Sequence, residues 1–508
     1  MRNSAILFSV LFLFLNFLKA QTVEFIPHKV KPKLSFELLQ MDNEQDLGML
    51  GIGTDFYIFE KIPNLYVTLN SYSAVTGNRP GLISIGTGLG YTQQLFNSDF
   101  YLDGGVFVGG GGGANAPDGG GLITREHLNL TYRFSGAEIF AGYSRLDFPT
   151  GDMGSNNFNF GLALASVFDT AYDSESDLDS FHQNPVTSKS KTRINFIGTA
   201  YVHFSDGPFE TTGKGKNIQL LGVEIDKFFN KKFYAALKLS GAVTGGVDGY
   251  MNLLVGLGFQ QNLWSKNVSA EVKLLGGPSG GGGIASGGGA TFQGVGGLSV
   301  HVGNGYELNG SVGQVYAPEG NFSGTFVEFG LAKNFNFIYP VGHLKTLYKL
   351  GLDEKLEGFG FRVVNRLYIP PNRLDKNNNY YDDYFNLIGF KISKDISPKF
   401  NALGSTYWAY QGSYGAYAEG WLGVQYHFPV FKTWEINFDL MGGAAGGGGI
   451  DLGSGLAFQF GGGISKSFGR NWNVLANAGT MQGFKGNFKP IYFDFGVGYN
   501  FMQLIKKN

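Results

Sequence analysis

The chain has 508 residues, a formal net charge of −1, and only 16% charged residues. Glycine contributes 80 residues, aromatic residues make up 15% of the chain, and cysteine is absent. The near-zero charge gives no basis for binding nucleic acid or a polybasic contact with a membrane surface. The many Phe and Tyr residues are unlike a disordered chain. Without cysteine, disulfides, thiolate metal sites and lipid attached to cysteine are excluded.

Residues 1–20 predict a secretory signal peptide. One Arg precedes a mostly apolar run from Ala5 to Phe17, and the small residue Ala20 lies at the expected cleavage position. The run is too short for a transmembrane helix, and no later apolar run approaches the length of about 18 residues that such a helix needs. We therefore expect an exported protein that, if it spans a membrane, spans it with strands.

The rest of the chain contains a threefold internal repeat. Three sets of aligned glycines give a period of about 168 residues, a spacing read from the sequence. They are Gly51, Gly222 and Gly389; Gly104, Gly276 and Gly442; and Gly161, Gly330 and Gly496. The repeat predicts three barrel units at 21–170, 190–337 and 356–508, joined by polar linkers at 171–189 and 338–355.

Each unit predicts about eight strands with one apolar face. In FNFGLAL, Phe158, Phe160 and Leu162 alternate with Asn159 and Gly161, the period of two that is typical of a strand. Short turns such as EKIPN, FNSD and FSG alternate with long loops. Short turns at one end and long loops at the other are typical of outer-membrane barrels, with periplasmic termini and extracellular loops.

On these features the chain resembles bacterial (Gram-negative) outer-membrane β-barrel proteins. Its last strand is similar to their assembly signal, carried here by Asp494, Gly496, Tyr499 and Phe501. The resemblance implies an all-β antiparallel transmembrane barrel in the outer membrane, with membrane lipid and the barrel-assembly machinery as partners. Unlike the family pattern, seven residues follow Phe501.

About 24 strands suit three tandem eight-stranded barrels or one wide barrel. Long polar junctions and the lack of a plug-sized insertion favour three small barrels. A narrow barrel also suits an inward polar network in the first unit, for which we expect the side chains of Glu37, Asp55, Asp103, Arg125 and His127. The weaker assembly signal in the inner units favours the single barrel.

The sequence predicts no catalytic, cofactor or metal site. The Gly-rich stretches lack the Gly-Lys-Ser/Thr order of a phosphate loop, and the acidic loop 375–383 lacks the central Gly and final Glu of a calcium loop. We interpret this loop as a solvated extracellular loop. Exposed loop aromatics are interpreted mainly as part of an interfacial girdle; they are Tyr380, Tyr381, Trp408 and Tyr414.

The Gly-rich stretch 108–121 is interpreted as a hairpin in which glycine lets the sheet bend and the loop turn. A meeting of the three equivalent hairpins remains a hypothesis at this point. The expected function is non-enzymatic: a structural, adhesive or loop-presenting outer-membrane protein. The alternative is a passive or partner-gated channel formed by one large barrel.

Overall fold

The computed structural model describes residues 22–42, 44–174, 185–204, 218–265, 267–371 and 373–507, and these residues form antiparallel strands. The signal peptide predicted at residues 1–20 lies outside the described residues. In the described ranges, no helix has the length and apolarity needed to cross a membrane.

The first eight strands form a closed ring, called ring 1. They are β1 (Thr22–Leu39), β2 (Leu47–Tyr57), β3 (Leu65–Thr76), β4 (Ile83–Gln94), β5 (Phe100–Gly112), β6 (Leu122–Phe134), β7 (Ala137–Asp147) and β8 (Gly154–Leu164). Each strand pairs with the next, and the pairing of β1 with β8 closes the ring. A further strand, β9 (Ser166–Ser174), continues β8 after Ala165 and pairs with the first half of β1.

Ring 2 repeats this arrangement. Its strands are β10 (Thr187–Phe204), β11 (Gln219–Phe228), β12 (Phe233–Thr244), β13 (Met251–Asn262), β14 (Val268–Gly280), β15 (Ala290–Gly303), β16 (Tyr306–Tyr316) and β17 (Ser323–Pro340). The ring closes through a long ladder between β10 and β17.

Ring 3 follows a short strand, β18 (Thr346–Lys349), which pairs with the start of β1. Its strands are β19 (Glu354–Ile369), β20 (Phe385–Ser397), β21 (Phe400–Gln411), β22 (Ala418–Phe431), β23 (Trp434–Gly446), β24 (Leu456–Phe468), β25 (Trp472–Gly483) and β26 (Ile491–Lys506). Pairing of β26 with both β25 and β19 closes the ring. Between rings 2 and 3, the pairing of β17 with β26 is limited to Phe337 and Ile505.

The strands follow from the alternation in the sequence. In β8, Phe158, Phe160 and Leu162 point outward and remain half-exposed, whereas Asn159 points into the ring and is fully buried. Successive side chains in a strand point to opposite faces, so the alternation of residue types becomes an apolar outer wall and a polar inner wall. The prediction of an all-β antiparallel protein with closed barrels is confirmed.

The ladders confirm two of the three glycine alignments and correct the third. Gly51 and Gly161 both lie beside Ser35 of β1, and the equivalent glycines lie beside Ile197 of β10 and Val364 of β19. This agreement places the three glycines of each set at the same point of their rings.

The alignment of Gly104 with Gly276 and Gly442 is wrong by four residues. The hairpin-closing hydrogen bond runs from Gly111 N to Gly121 O in ring 1, from Ser279 N to Gly289 O in ring 2, and from Ala445 N to Gly455 O in ring 3. It therefore makes Gly112, Gly280 and Gly446 equivalent. Runs of identical glycines give little to fix an alignment, so only the ladder sets this register.

We call the two ends of each ring the turn end, which has the short turns, and the loop end, which has the long loops. At the turn end, an apolar cluster joins side chains from all three rings: Val23, Phe25, Ala171, Ile338 and Leu504. Strands β9 and β18 contribute to this junction and lie partly within the segments predicted as linkers. The rings are thus joined by packed strands as well as by the chain.

Candidate functional site

The most distinctive feature of the rings is their inverted polarity. Large apolar side chains such as Tyr143, Phe329 and Phe460 are more than 60% exposed on the outer wall. Charged side chains such as Arg193 and Arg366 are fully buried inside the rings. A barrel that faces lipid needs an apolar outer band, and its polar groups then point inward. We call the three interiors the lumens.

The polar network predicted for the first unit lies in the lumen of ring 1. Arg125 Nε donates a hydrogen bond to Glu37 Oε1 at 2.7 Å. His127 Nε2 lies 3.7 Å from Asp103 Oδ2. Asp55 forms an ion pair with Lys33, which was not among the five predicted residues. The side chains of these five residues are largely buried, so the prediction that they face inward is confirmed.

Sequence reasoning missed the lysines that complete this network. Lys33 Nζ lies 2.6 Å from Asp55 Oδ1, and Lys31 Nζ donates to Glu138 Oε2 at 2.6 Å. Both lysines lie on β1, two residues apart and therefore on the same face. Lys31, Lys33 and Glu37 are separated by even numbers of residues on β1 and therefore share its inward face. The sequence thus contained the information needed to predict both lysines.

The lumen of ring 2 carries a denser network. Arg193 Nε donates to Asp226 at 2.7 Å, and its two terminal nitrogens donate to Glu271 at 2.8 and 2.9 Å. Lys273 Nζ donates to both oxygens of Glu224 at 2.6 and 2.7 Å. Bidentate Arg–carboxylate pairs are among the strongest hydrogen-bonded contacts in proteins, and this one joins strands from different sides of the ring.

In ring 3 one guanidinium holds two carboxylates. Arg366 donates to Asp494 through Nε at 2.7 Å and through Nη2 at 2.9 Å, while Nη1 donates to Glu419 at 2.7 Å. The guanidinium also lies over the rings of Tyr407 and Tyr492, 3.7 and 4.0 Å from their centroids. The site is therefore both charge-paired and enclosed by aromatic faces.

Each lumen is closed at the loop end by apolar side chains of the loops. The hairpin between the fifth and sixth strands places one tip residue into its own ring: Ala116, Ile284 and Ile450. The last long loop adds Met153, Phe322 and Phe488. All six are buried. We call each of these three apolar clusters a lid, since it covers a polar lumen.

Polar cavities lie inside two of the rings. The cavity of ring 1 has a volume of about 20 Å³, and its lining includes Lys33, Asp103, His127 and Asn129. The cavity of ring 2 also has a volume of about 20 Å³ and is lined by charged residues that include Lys273. Among the described residues, His127 Nδ1 and Asn129 Oδ1 have no hydrogen-bond partner. Buried polar atoms without a protein partner, beside a cavity of this size, are suited to bind a water molecule.

Three of the four loop aromatics do not lie in an interfacial girdle. Tyr381, Trp408 and Tyr414 are buried, and only Tyr380 is exposed. Tyr381 and Tyr414 pack in the lid cluster of ring 3, whereas Trp408 points away from that lumen on β21. The prediction fails for Tyr381 and Tyr414 because their loops fold over the ring. It fails for Trp408 because β21 packs against β5 and β6 of ring 1.

The residues of the predicted assembly signal lie along β26. Asp494 is bound inside the lumen by Arg366, and Tyr499 packs edge-on against Trp472. Phe501 stacks on Phe359, with centroids 5.7 Å apart. The residues after Phe501 continue the ladder with β19 as far as Lys506.

No metal site emerges from the described residues: they contain no group of three or more His, Asp or Glu side chains able to hold an ion. In loop 375–383, Asp375 Oδ1 accepts hydrogen bonds from the backbone N of Asn377 at 2.8 Å and of Asn379 at 2.9 Å. Lys376 pairs with Asp248 of ring 2. The loop is thus tied to a neighbouring ring as well as being solvated.

Closed antiparallel barrels with an apolar outer wall and a charged interior define a transmembrane β-barrel. The described residues of this chain therefore have the fold of a transmembrane β-barrel. No family model matches the chain, and no curated protein sequence matches it either.

Similar solved structures include the siderophore receptor PirA from Acinetobacter baumannii, at 10% identity over 94% of this chain and 80% of that chain, with a TM-score of 0.26. OccK11 (OpdR) of Pseudomonas aeruginosa is 10% identical over 96% of each chain, with a TM-score of 0.21. The outer membrane channel DcaP of A. baumannii is 9% identical over 94% of this chain and 96% of that chain, with a TM-score of 0.20. The TM-scores are too low to transfer a function.

Proposed function

We propose that this protein is a gated outer-membrane channel for small polar solutes or ions. Its three rings lie side by side in one membrane, with the turn end in the periplasm and the loop end outside. Each lumen is the conducting path, and each lid closes it in the conformation described above. The observation that carries this proposal is a polar, charge-lined lumen beneath an apolar lid in every ring.

The lining of the lumens supports transport over a purely structural role. Buried ion pairs are weak stabilisers, since desolvation of both charges offsets most of their attraction. Replacing a buried ion pair with well-packed apolar side chains of similar volume is often neutral or stabilising. These lumens instead contain pairs such as Lys31 with Glu138 and Lys391 with Asp439. Charges of both signs suit a path for hydrated polar solutes.

The lids support gating. They consist of loop residues such as Ile284 and Phe322, and loops move more readily than the strands they connect. Apolar constrictions gate channels by excluding water. Displacing a lid opens the cavity beneath it, whereas the strand ladder remains intact.

This channel differs from the single wide pore considered from the sequence. A single 24-stranded barrel has a large lumen, but the closing ladders β1–β8, β10–β17 and β19–β26 each surround a narrow one. We therefore expect small conductance steps and exclusion of large solutes.

A second candidate is a non-conducting scaffold that presents its loops at the surface. The burial of lid residues such as Ile450 and Phe488 favours it, because well-packed loops hold a fixed surface. No observation indicates an adhesive ligand for that surface.

Planar-bilayer recording of the full chain separates the two candidates. We expect brief, small openings of the wild-type protein and a marked rise in open probability for Ile284→Asp, since a buried carboxylate destabilises the closed lid. Asn156→Asp is the matched control, because it adds the same charge at an exposed position near the loop end. It should leave the openings unchanged.

Absence of current from both the wild-type protein and Ile284→Asp would contradict the channel and favour the scaffold. Folding of each preparation is checked by heat-modifiable migration in gels. That control separates a silent barrel from an unfolded one.

We also propose that the barrel-assembly machinery recognises β26 through Asp494, Gly496, Tyr499 and Phe501. The outward and turn-end positions of Tyr499 and Phe501 support this role. Phe501→Ser should lower the amount of protein in the outer membrane, while Phe495→Ser, an outward change on the same strand, should lower it much less. Equal losses would contradict recognition at the end of the strand.

A further inference from the structure

The same contact between neighbouring rings occurs three times at the loop end. The glycine that ends each Gly-rich hairpin lies against the backbone of an alanine in another ring. A methyl group on Gly289 would lie 2.5 Å from Ala74 O, one on Gly455 would lie 2.8 Å from Ala242 O, and one on Gly121 would lie 2.6 Å from Ala409 O. Distances this short leave no room for a side chain.

The three alanines are equivalent, as the three glycines are. Ala74, Ala242 and Ala409 each occupy the third strand of their ring, and each donates a backbone hydrogen bond across the following loop. The acceptors are Leu82 O at 2.9 Å, Tyr250 O at 2.9 Å and Tyr417 O at 3.0 Å. The third strand of one ring therefore meets the hairpin of another ring in the same way at each junction.

The direction of these contacts is cyclic. The third strand of ring 1 meets the hairpin of ring 2, that of ring 2 meets the hairpin of ring 3, and that of ring 3 meets the hairpin of ring 1. Ion pairing of Lys376 in ring 3 with Asp248 in ring 2 reinforces one of the junctions. A cycle of three identical contacts is the arrangement of a trimer, formed here by one chain.

Glycine is required at these positions for two reasons. Gly121, Gly289 and Gly455 have φ angles of +86°, +99° and +78°, which L-residues rarely adopt. Their missing side chains also let two backbones meet directly. The glycine of the hairpins thus serves close packing between rings as well as turning of the loop.

We infer that the chain is a single-chain trimer whose three lids are locked in a cycle. Each hairpin carries a lid residue at its tip and is held at its base by the preceding ring, so no lid moves without disturbing its neighbour. The cyclic lock rests on geometry alone, whereas its role in concerted gating rests on the proposed channel.

An engineered disulfide tests one junction of the cycle without any measurement of current. A methyl group on Gly241 of ring 2 would lie 3.6 Å from Cβ of Ala444 of ring 3, within the range of a disulfide. The chain has no cysteine of its own, so Gly241→Cys with Ala444→Cys forms a clean pair. A protease site inserted after Leu344, between the two rings, then shows whether the fragments stay joined.

We expect oxidised, cleaved protein to migrate as joined fragments that separate on reduction. The matched control is Ser73→Cys with Ala444→Cys, since Ser73 occupies in ring 1 the position of Gly241 in ring 2. The cycle places it against ring 2 and away from ring 3, so the control pair should remain unjoined. Failure of the first pair to join, or equal joining of both pairs, would overturn the inference.

Gating is tested separately on the same protein. With locked lids, wild-type openings occur as one full step, and Gly289→Ala introduces steps of about one third, because one lid is released from a cycle of three. Gly136→Ala is the control, since Gly136 has a φ of +84° but has open space around it. Conductance steps of one third of the full value, occurring independently in the wild-type protein, would overturn concerted gating. A silent protein would contradict the channel, and the disulfide result would still decide the cycle.

Discussion

Rings 1 and 3 place opposite charges at the same point of the barrel. In the closing ladder, Glu37 of ring 1 pairs across to Asn159, whereas Arg366 of ring 3 pairs across to Asp494. These positions are equivalent. Glu37 lies two residues after Ser35, which pairs with Gly161, and Arg366 lies two residues after Val364, which pairs with Gly496. Ring 1 compensates Glu37 with Arg125 from another strand.

The comparison shows which property of the lumen is maintained. The sign of the charge at this position changes between the two rings, yet Glu37 and Arg366 each have a partner of opposite sign within reach. An unpaired charge in such an interior is far more costly than a paired one. The pairing of opposite charges inside the lumen is therefore maintained, whereas the residue at an equivalent position differs between the rings.

The largest expected effect is at Arg366. Arg366→Met leaves Asp494 and Glu419 buried without their cation, and we expect a loss of about 3–5 kcal/mol of stability. Heat-modifiable migration in detergent measures the loss. The triple variant Arg366→Met, Asp494→Asn, Glu419→Gln should recover most of it, and no recovery would show that the guanidinium acts through packing on Tyr407 and Tyr492 instead.

The lids offer a second contrast between the rings. Phe488 packs against four aromatic side chains in ring 3: Tyr368, Tyr381, Phe385 and Tyr417. Phe488→Ala should cost about 3–4 kcal/mol, and Met153→Ala in the aromatic-poor lid of ring 1 about 2 kcal/mol. The same thermal measurement compares the two. A larger loss for Met153→Ala would contradict the stronger packing of the ring 3 lid.

The hairpin of ring 1 carries a partly buried carboxyl group at its turn, that of Asp118. Burial raises the pKa of Asp118 to about 6, although Gly113 N donates to its carboxylate. A carboxyl whose folded pKa exceeds its unfolded value of about 3.9 is less costly to bury when protonated, so stability rises as pH falls from 7 to 4. The gain is about 2 kcal/mol.

Asp118→Asn should abolish this pH dependence, because the side chain no longer titrates. The pH dependence of protease cleavage within residues 113–121 measures it. The equivalent hairpin of ring 2 has Ser286 at this position and no titratable residue between Gly281 and Gly289, so it should show no such dependence. Equal pH dependence in the hairpins of rings 1 and 2 would contradict the assignment to Asp118.

The smallest effect is expected at Glu37 of ring 1. Glu37→Gln removes the charge but retains a carbonyl oxygen for Arg125 Nε and gains an amide nitrogen that can donate to Ser144 Oγ, so we expect a loss of about 1–2 kcal/mol. A loss as large as that of Arg366→Met would show that the charge of Glu37, rather than its hydrogen bonds, determines how much it stabilises the barrel. Thermal migration again provides the measure.

Much of the barrel wall was predictable from local pattern. The alternation in residues 158–164 identified the outward face of β8, and the parity of β1, β2, β5 and β6 placed the side chains of Glu37, Asp55, Asp103, Arg125 and His127 inside. A strand alternates regardless of which strand pairs with it, so the sequence contains that information locally. The lysines of β1 follow from the same parity.

The loops were predicted less well. Tyr381 and Tyr414 resemble surface aromatics in sequence, and the glycine run of residues 108–121 gave an alignment shifted by four residues. Loop residues acquire their neighbours from distant parts of the chain, and glycine has no side chain that marks its register. No local pattern carries this information.

The sequence by itself determined the class of the protein: strands of period two, three repeats, and apolar outer faces that require lipid. Only the tertiary structure decided which strands close each ring, which charges pair, and how the glycine hairpins meet across rings. The physical reason is the separation along the chain between the residues that interact. Strand polarity is fixed by neighbours two residues apart, whereas ring closure and ion pairing join residues that are far apart in the chain and meet only when the barrels form.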